Sequence, residues 1–359
     1  MKILITTGVY PPEIGGPATY TKLMEARLPQ YGIEVEPLPF SLVRKWPKGI
    51  RHILFFFKVL SRGRDKDLLY AQDTVSVGLP TMLAAKFLRK PFLIRVPGDY
   101  AWEQSSQRYG VRDTIDEFQK KQYGFRVELL RSVQRFVARR ANALITPSEY
   151  FKDLVSGWVK KPERVRRIYN GIDLPQIQFD EGRVKKQSLF SAGRLVPWKG
   201  FDFLIRLMKD LPDWTLTIAG DGPQRDSLQE LIQEEQLESR VRLLGRIERN
   251  ELMQEIAEAE IFVLNTSFES FSFQIVEAMH LGRPLIATNI GNLSEIVEDG
   301  KDGILVEPNN KEAFLAAMKR ISSDPELRKS MQEQARKKAQ HFSIDRSVES
   351  TAQLIQQFR

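Results

Sequence analysis

The chain has 359 residues, 42% hydrophobic and 28% charged, which fits a soluble globular protein long enough for two separate cores. It has no cysteine, which excludes disulfides, thiolate zinc sites and a cysteine nucleophile; with three histidines, at 52, 280 and 341, a His-rich metal site is not expected. The net charge of +8 is unevenly spread, with 30 Lys and Arg against 17 Asp and Glu in residues 1–175, but 24 against 29 in residues 176–359. A basic first half attracts polyanions: nucleic acid, an anionic membrane or an acidic acceptor. No zinc-finger, RNP-like or helix-turn-helix pattern favours nucleic acid among these.

The first predicted element is a strand at Met1-Lys-Ile-Leu-Ile-Thr6, and Pro11-Pro12-Glu13 ends any signal-like run. Gly15-Gly16 follows, then an amphipathic helix from Pro17 to Tyr31. Tandem glycines after a first strand let backbone approach a phosphate, although the loop is not the G-x-G-x-x-G of a dinucleotide fold. Strands near Ile33–Leu38, Asp67–Ala71 and Pro91–Val96 alternate with helices near Ile50–Ser61 and Val77–Leu88, the pattern of a doubly wound parallel sheet. The apolar run His52–Leu60 is far too short to span a bilayer, so a cytoplasmic enzyme is expected. The strand at 92–96 opens onto Pro97-Gly98-Asp99, a ligand-facing position in such sheets. Asp99 is there either to meet a substrate or to form the turn after Gly98. Residues 107–122 read as a mobile loop or exposed helix. Tyr123–Arg140 reads as a basic amphipathic helix with Phe125, Leu129, Leu130, Val133, Phe136 and Val137 on one face; such a helix can lie on a membrane, but more often that face is core and the Arg residues are solvated. A strand at Ala143–Thr146 and a turn at Asn170-Gly-Ile-Asp173 precede a polar stretch, Pro175–Gln187, that reads as a linker.

The second half opens with a strand from Ser188 and a tight loop carrying Arg194 and Lys199, two cations suited to a diphosphate. Strands at Trp214–Gly220 and Val241–Ile247 follow, with helices at 201–209, 223–236 and 250–259. Ala259–Leu264 is a buried strand. Phe273–Leu281 is a helix with Ser270 or Ser272 as N-cap, stopped by Gly282 and Pro284. Its N–H groups near Phe271, Ser272 and Phe273 are open to an anion. Glu269 precedes this helix and Glu277 lies on it. Two carboxylates flanking an anion site suit a nucleotide sugar, whose hydroxyls lie on either side of a diphosphate. A glycosidase pair fits less well: eight residues of helix span about 12 Å, against roughly 5–5.5 Å for a retaining pair. The loop position of Glu269 leaves that alternative open.

The run Glu269-Ser-Phe-Ser-Phe-Gln-Ile-Val-Glu277-Ala-Met-His-Leu-Gly-Arg-Pro-Leu-Ile-Ala287 resembles the E-x7-E signature of the family 4 (group 1) retaining glycosyltransferases. The resemblance covers roughly residues 1–350 and is strongest over 188–306. It implies an α/β protein of the GT-B fold, with two Rossmann-like doubly wound parallel-sheet domains facing across a cleft. Their bounds are 1–175 on the acceptor side and 188–340 on the nucleotide-sugar side, with a linker at 176–187 and a C-terminal helix at 341–359 crossing back to the first domain. It further implies that Glu269 contacts the transferred sugar and Glu277 the ribose, that Arg194 and Lys199 neutralise the diphosphate, and that the Gly15 and Gly16 amides face it. Asn170 and the base-bordering Arg246 and Ile247 complete the donor-binding set. Many relatives carry a His-containing segment where this chain has Asp99, a departure that makes Asp99 the candidate for the donor sugar or acceptor nucleophile. The resemblance implies a nucleotide-sugar donor and a glycan, lipid-linked or small-molecule acceptor. No cofactor or metal is expected, and no nucleic acid. Contact with an anionic membrane, at the inner face of the plasma membrane, is a further use for the basic first half. Two rivals stay open: a nucleotide-sugar epimerase on the same fold, and a non-catalytic nucleotide-sugar or polyanion-binding protein.

Overall fold

The computed structural model describes residues 1–13, 16–47, 49–173 and 181–359, and of Glu181 the backbone alone. The chain divides into two compact units. The first is Met1–Asn170 with Asp345–Arg359, and the second is Gly171–Ile344.

The first unit is built on six parallel strands, β1 (Lys2–Thr7), β2 (Glu34–Pro39), β3 (Leu68–Ala71), β4 (Phe92–Arg95), β5 (Ala143–Thr146) and β6 (Val165–Arg167), in the order β2-β1-β3-β4-β5-β6. Strands β3, β4 and β5 are buried at every residue, as expected of parallel strands covered on both faces. The helices are α1 (Gly16–Arg27), α2 (Ile50–Arg62), α3 (Gly78–Leu88), α4 (Tyr100–Arg108), α5 (Ile115–Lys120), α6 (Phe125–Ala138) and α7 (Glu149–Ser156). Right-handed crossovers put α2, α3, α6 and α7 on one face of the sheet and α1 on the other.

Residues 107–122, read as a mobile loop or exposed helix, hold the end of α4, which begins at Tyr100, and all of α5, which starts with a capping box in which Thr114 and Glu117 bond reciprocally. One expectation fails in this unit. Helix α6 is turned away from its predicted apolar face. Its buried residues are Val127, Arg131, Gln134, Val137 and Ala138, while Phe125, Leu129 and Phe136 are exposed. Polar anchors set that rotation. Gln134 donates to Asp99 Oδ1 at 2.9 Å and accepts from the Ala101 N–H at 3.2 Å. The Arg131 guanidinium lies 4.9 Å from the Phe118 ring centre and donates to the Lys121 carbonyl at 2.9 Å.

The second unit repeats the plan with β7 (Lys185–Ala192), β8 (Thr215–Ala219), β9 (Val241–Gly245), β10 (Ala259–Leu264), β11 (Leu285–Thr288) and β12 (Ile304–Val306), all parallel, in the order β12-β11-β10-β7-β8-β9. Strand β7 starts at Lys185, three residues inside the stretch read as linker; residues 176–180 of that stretch lie outside the described residues. The connecting helices are α8 (Phe201–Leu207), α9 (Arg225–Glu234), α10 (Arg249–Glu258), α11 (Phe273–His280), α12 (Leu293–Ile296), α13 (Lys311–Ser323) and α14 (Pro325–Ala339). Leu189, Leu216, Ile261, Val263, Ile286 and Phe314 sit at the centre of its core.

The last helix, α15 (Ile344–Gln356), belongs to the first unit from Asp345 onward. Val348, Ala352 and Ile355 are fully buried on it, Ser347 Oγ donates to the Tyr169 carbonyl at 2.8 Å, and Thr351 lies 3.5 Å from the Tyr20 hydroxyl.

Candidate active site

In the second unit the strand order reverses between β7 and β10. The chain leaves β7 toward β8 and β9, then returns on the other side of β7 for β10, β11 and β12. Loops leaving neighbouring strands in opposite directions open a crevice at their carboxyl ends, where ligands of such sheets bind. The loop after β7 carries Arg194 and Lys199, and the loop after β10 carries Glu269. Lys199 Nζ donates to Glu269 Oε2 in an ion pair whose side chains are 10% and 13% exposed. Arg194 stands exposed earlier in the same loop as Lys199.

Backbone bonds hold these loops in register. The Thr266 hydroxyl and the Ser267 N–H both donate to the Trp198 carbonyl, at 2.9 and 2.8 Å. Asn265 Nδ2 donates to the Gly200 carbonyl at 3.3 Å and to Asn309 Oδ1 at 2.8 Å. Gly200 has φ +56°, and a Cβ there would lie 2.6 Å from the Asn265 carbonyl oxygen. Gly193 N–H donates to the Ala219 carbonyl at 3.0 Å, tying the cationic loop to the end of β8.

Helix α11 opens onto the same edge. Ser272, rather than Ser270, is its N-cap and accepts from the Ile275 N–H at 3.4 Å. Phe271 is buried and meets Phe273 and Phe342 edge-on, with ring centres 5.4 and 5.7 Å apart. Glu277 is buried one turn in, with its Oε1 3.3 Å from Arg249 Nη2. Burial raises its pKa to about 7, with Arg249 opposing the rise. Arg246, exposed, and Ile247, half-buried, lie in the turn between β9 and α10. Arg249 was missed in the sequence. The available signal was a cation in the first turn of α10, where the helix dipole disfavours it unless a partner compensates.

In the first unit the order reverses between β1 and β3. Gly16 follows β1 as the first, exposed residue of α1; Gly15 lies outside the described residues. Asp99 requires a correction. It is wholly buried as the N-cap of α4, with Oδ1 accepting from the Trp102 N–H at 3.0 Å and from Gln134, and Oδ2 accepting from Gln119 Nε2 at 2.7 Å. Three donors hold the carboxylate inside the unit, where none of it is exposed. Asn170 is also buried, and its Oδ1 accepts from Arg95 Nη2 at 2.6 Å.

Two family models between them span nearly the whole chain: the glycosyl transferase 4-like domain over residues 4–171, and glycosyl transferases group 1 over residues 175–338. The chain belongs to the group 1 glycosyltransferases. An uncharacterised glycosyltransferase of Methanocaldococcus jannaschii is 26% identical over 97% of this chain and 96% of its own. The alpha-D-kanosaminyltransferase of Streptomyces kanamyceticus is 34% identical over 56% of each chain. Anabaena HepE, solved in complex with UDP-glucose, superposes with a TM-score of 0.78 at 22% identity over 99% of this chain and all of that one. The fold of this glycosyltransferase is GT-B.

The second unit's crevice gathers three features. It places a cation beside a carboxylate, a capped helix N-terminus next to both, and a second, buried carboxyl one turn further. Among the described residues no group of three His, Asp or Glu side chains gathers as a metal site would.

Proposed function

We propose that this glycosyltransferase is a retaining, metal-independent hexosyltransferase. In this reading it moves a sugar from a nucleotide-diphosphate sugar to an acceptor hydroxyl, in the synthesis of a bacterial-type glycan, glycolipid or cell-surface polysaccharide. The observation that carries the reading is the Lys199–Glu269 pair beside the N-terminus of α11 at the strand-order reversal. With donor bound, Lys199 turns from Glu269 to the diphosphate, and Glu269 is released to accept hydroxyl hydrogen bonds from the sugar. The bond between the anomeric carbon and the leaving phosphate oxygen breaks while the acceptor oxygen bonds to that carbon from the same face. The acceptor proton passes to the departing phosphate oxygen, so no dedicated protein base is required. Negative charge builds on the leaving diphosphate, where Lys199, Arg194 and the first amides of α11 stabilise it. Fixed cations there take the part a divalent ion would otherwise play. The buried Glu277 receives the ribose hydroxyls, and Arg246 and Ile247 border the base. The crystal structure of Anabaena HepE with UDP-glucose supports a uridine nucleotide as the first donor to try. The basic first half supports a lipid-linked acceptor reached at an anionic membrane face.

The test measures UDP binding and donor turnover in EDTA for wild type and Lys199→Ala. Wild type should keep its activity in EDTA, and the variant should lose about 10²–10³-fold in turnover. A product of inverted anomeric configuration by NMR would overturn retention. Nucleotide binding without any turnover across an acceptor panel would restore the non-catalytic reading.

A further inference from the structure

Among the described residues, the large apolar side chains that stand exposed all lie in the first unit. Eight of these eleven lie on α2, α3 and α6. Helix α2 packs against α3, and α3 against α6, making one layer on one face of the sheet. The outer side of that layer shows Ile53 and Phe57 from α2, Leu83 and Phe87 from α3, and Leu129 and Phe136 from α6, with Phe87 72% exposed. Spacings of four or seven residues put each pair on one side of its helix. Soluble surfaces normally carry such residues singly, and a contiguous apolar set marks a contact site.

Charge identifies the occupant. Residues 50–62, 78–90 and 125–140 hold eleven Lys and Arg against one acidic residue, Glu128, with Arg131 turned inward and buried and Arg62 paired with Glu36. A cleft of about 260 Å³ between α3 and the end of α6 is lined by Lys86, Lys90 and Arg140 together with Met82 and Phe92; the Lys90 ammonium donates to the Gly63, Arg64 and Lys66 carbonyls, so Lys86 and Arg140 are the cations it offers to an anion. The Arg140 guanidinium lies 3.6 Å from the Phe136 ring centre, so charge and ring are presented together. A second copy docking through the same face would set these cations against their own images. A nucleic acid would satisfy the cations but leave the aliphatic and phenyl groups with nothing apolar to enter. An anionic bilayer satisfies both, its phosphates meeting the cations and its acyl boundary taking the apolar side chains.

We infer that the outer face of α2, α3 and α6 docks on an anionic lipid bilayer, with headgroup phosphates in the cleft between α3 and α6. The inference rests on the membrane contact of the preceding reading and is independent of its donor chemistry. The experiment is flotation of the full chain with vesicles of phosphatidylcholine alone, or of phosphatidylcholine mixed with phosphatidylglycerol. Wild type should bind the mixed vesicles at least about tenfold more tightly than the neutral ones, less so as salt is raised. Phe57→Asp with Phe87→Asp, and separately Lys86→Glu with Arg140→Glu, should each cut that binding about tenfold or more while thermal melting and donor hydrolysis stay unchanged. The proposal is overturned by any of three results. Wild type does not bind mixed vesicles or binds neutral ones equally; both variants bind like wild type; or light scattering shows a wild-type dimer that Phe87→Asp dissociates. Loss of donor hydrolysis in wild type would count against the transferase reading and leave this one standing.

Discussion

Glu277 is the carboxyl whose behaviour owes most to its surroundings. Its folded pKa of about 7 lies above the ordinary value of 4.5, so the folded state binds more protons between the two. Stability from this group is therefore fullest below about pH 4.5, declines as pH rises to about 7 and is level beyond. Glu277→Gln should remove that decline, on the order of 3 kcal/mol, in urea titrations at the two ends of the window. An unchanged slope would show that another group is responsible. The proposed ribose contact would act in the opposite direction, because a diol donating hydrogen bonds favours the carboxylate. UDP affinity should rise in wild type between about pH 6 and 8 and stay flat in Glu277→Gln. Asp99 offers a different test. Replacing it by Ala strands Trp102 N–H, Gln119 and Gln134, and should cost about 2–4 kcal/mol in urea unfolding with donor KM unchanged. Lost turnover at full stability would instead make it catalytic. The two residues also show what the sequence made legible. The placement of Glu269, Arg194 and Lys199 in loops and of Glu277 on a helix could be read because those elements follow local spacing. Asp99 carries two readings in the sequence because the residue after a strand is both the ligand-facing position and the natural N-cap of the next helix. Arg249 reaches Glu277 from a separate helix, and no spacing announces that.

At the scale of elements, the strand and helix alternation was legible because buried parallel strands are unbroken apolar runs and Gly or Pro punctuates them. Helix α6 was not, since its apolar residues outnumber its buried places and Gln134 and Arg131 decide which side turns inward. Side-chain polarity alone assigns the wrong winner when a buried polar group is hydrogen-bonded at both ends, as Gln134 is. The loops of the second unit make a sharper claim. Gly220 has φ +142°, and a Cβ there would fall 1.8 Å from the Gly193 carbonyl oxygen. Gly220→Ala must therefore push the ends of β7 and β8 apart and carry the Arg194–Lys199 loop with them. The expected outcome is a loss of several kcal/mol in stability and weakened UDP binding, read by thermal melting with and without nucleotide. An unshifted melting temperature would show that the loops are less tightly joined than drawn here.

Over the whole molecule, length and charge asymmetry were readable at once, because they need no geometry. The place of α15 was not: an amphipathic helix announces an apolar face but not what covers it, and only the family resemblance pointed back to the first unit. Removing residues 344–359 should expose the first unit to proteolysis while fragments spanning 185–340 persist, followed by mass spectrometry of a limited digest. Equal resistance of both units would mean that α15 adds little to the first. The same return of the chain orders its birth. A ribosome delivers residues 171–344 as one uninterrupted piece, so the second unit can close while synthesis continues. The first unit must wait, its seam against Tyr20 and Tyr169 open until α15 has left the exit tunnel. Any product of early translational arrest then shows an unfinished apolar seam, the feature by which chaperones and proteases sort incomplete chains from complete ones.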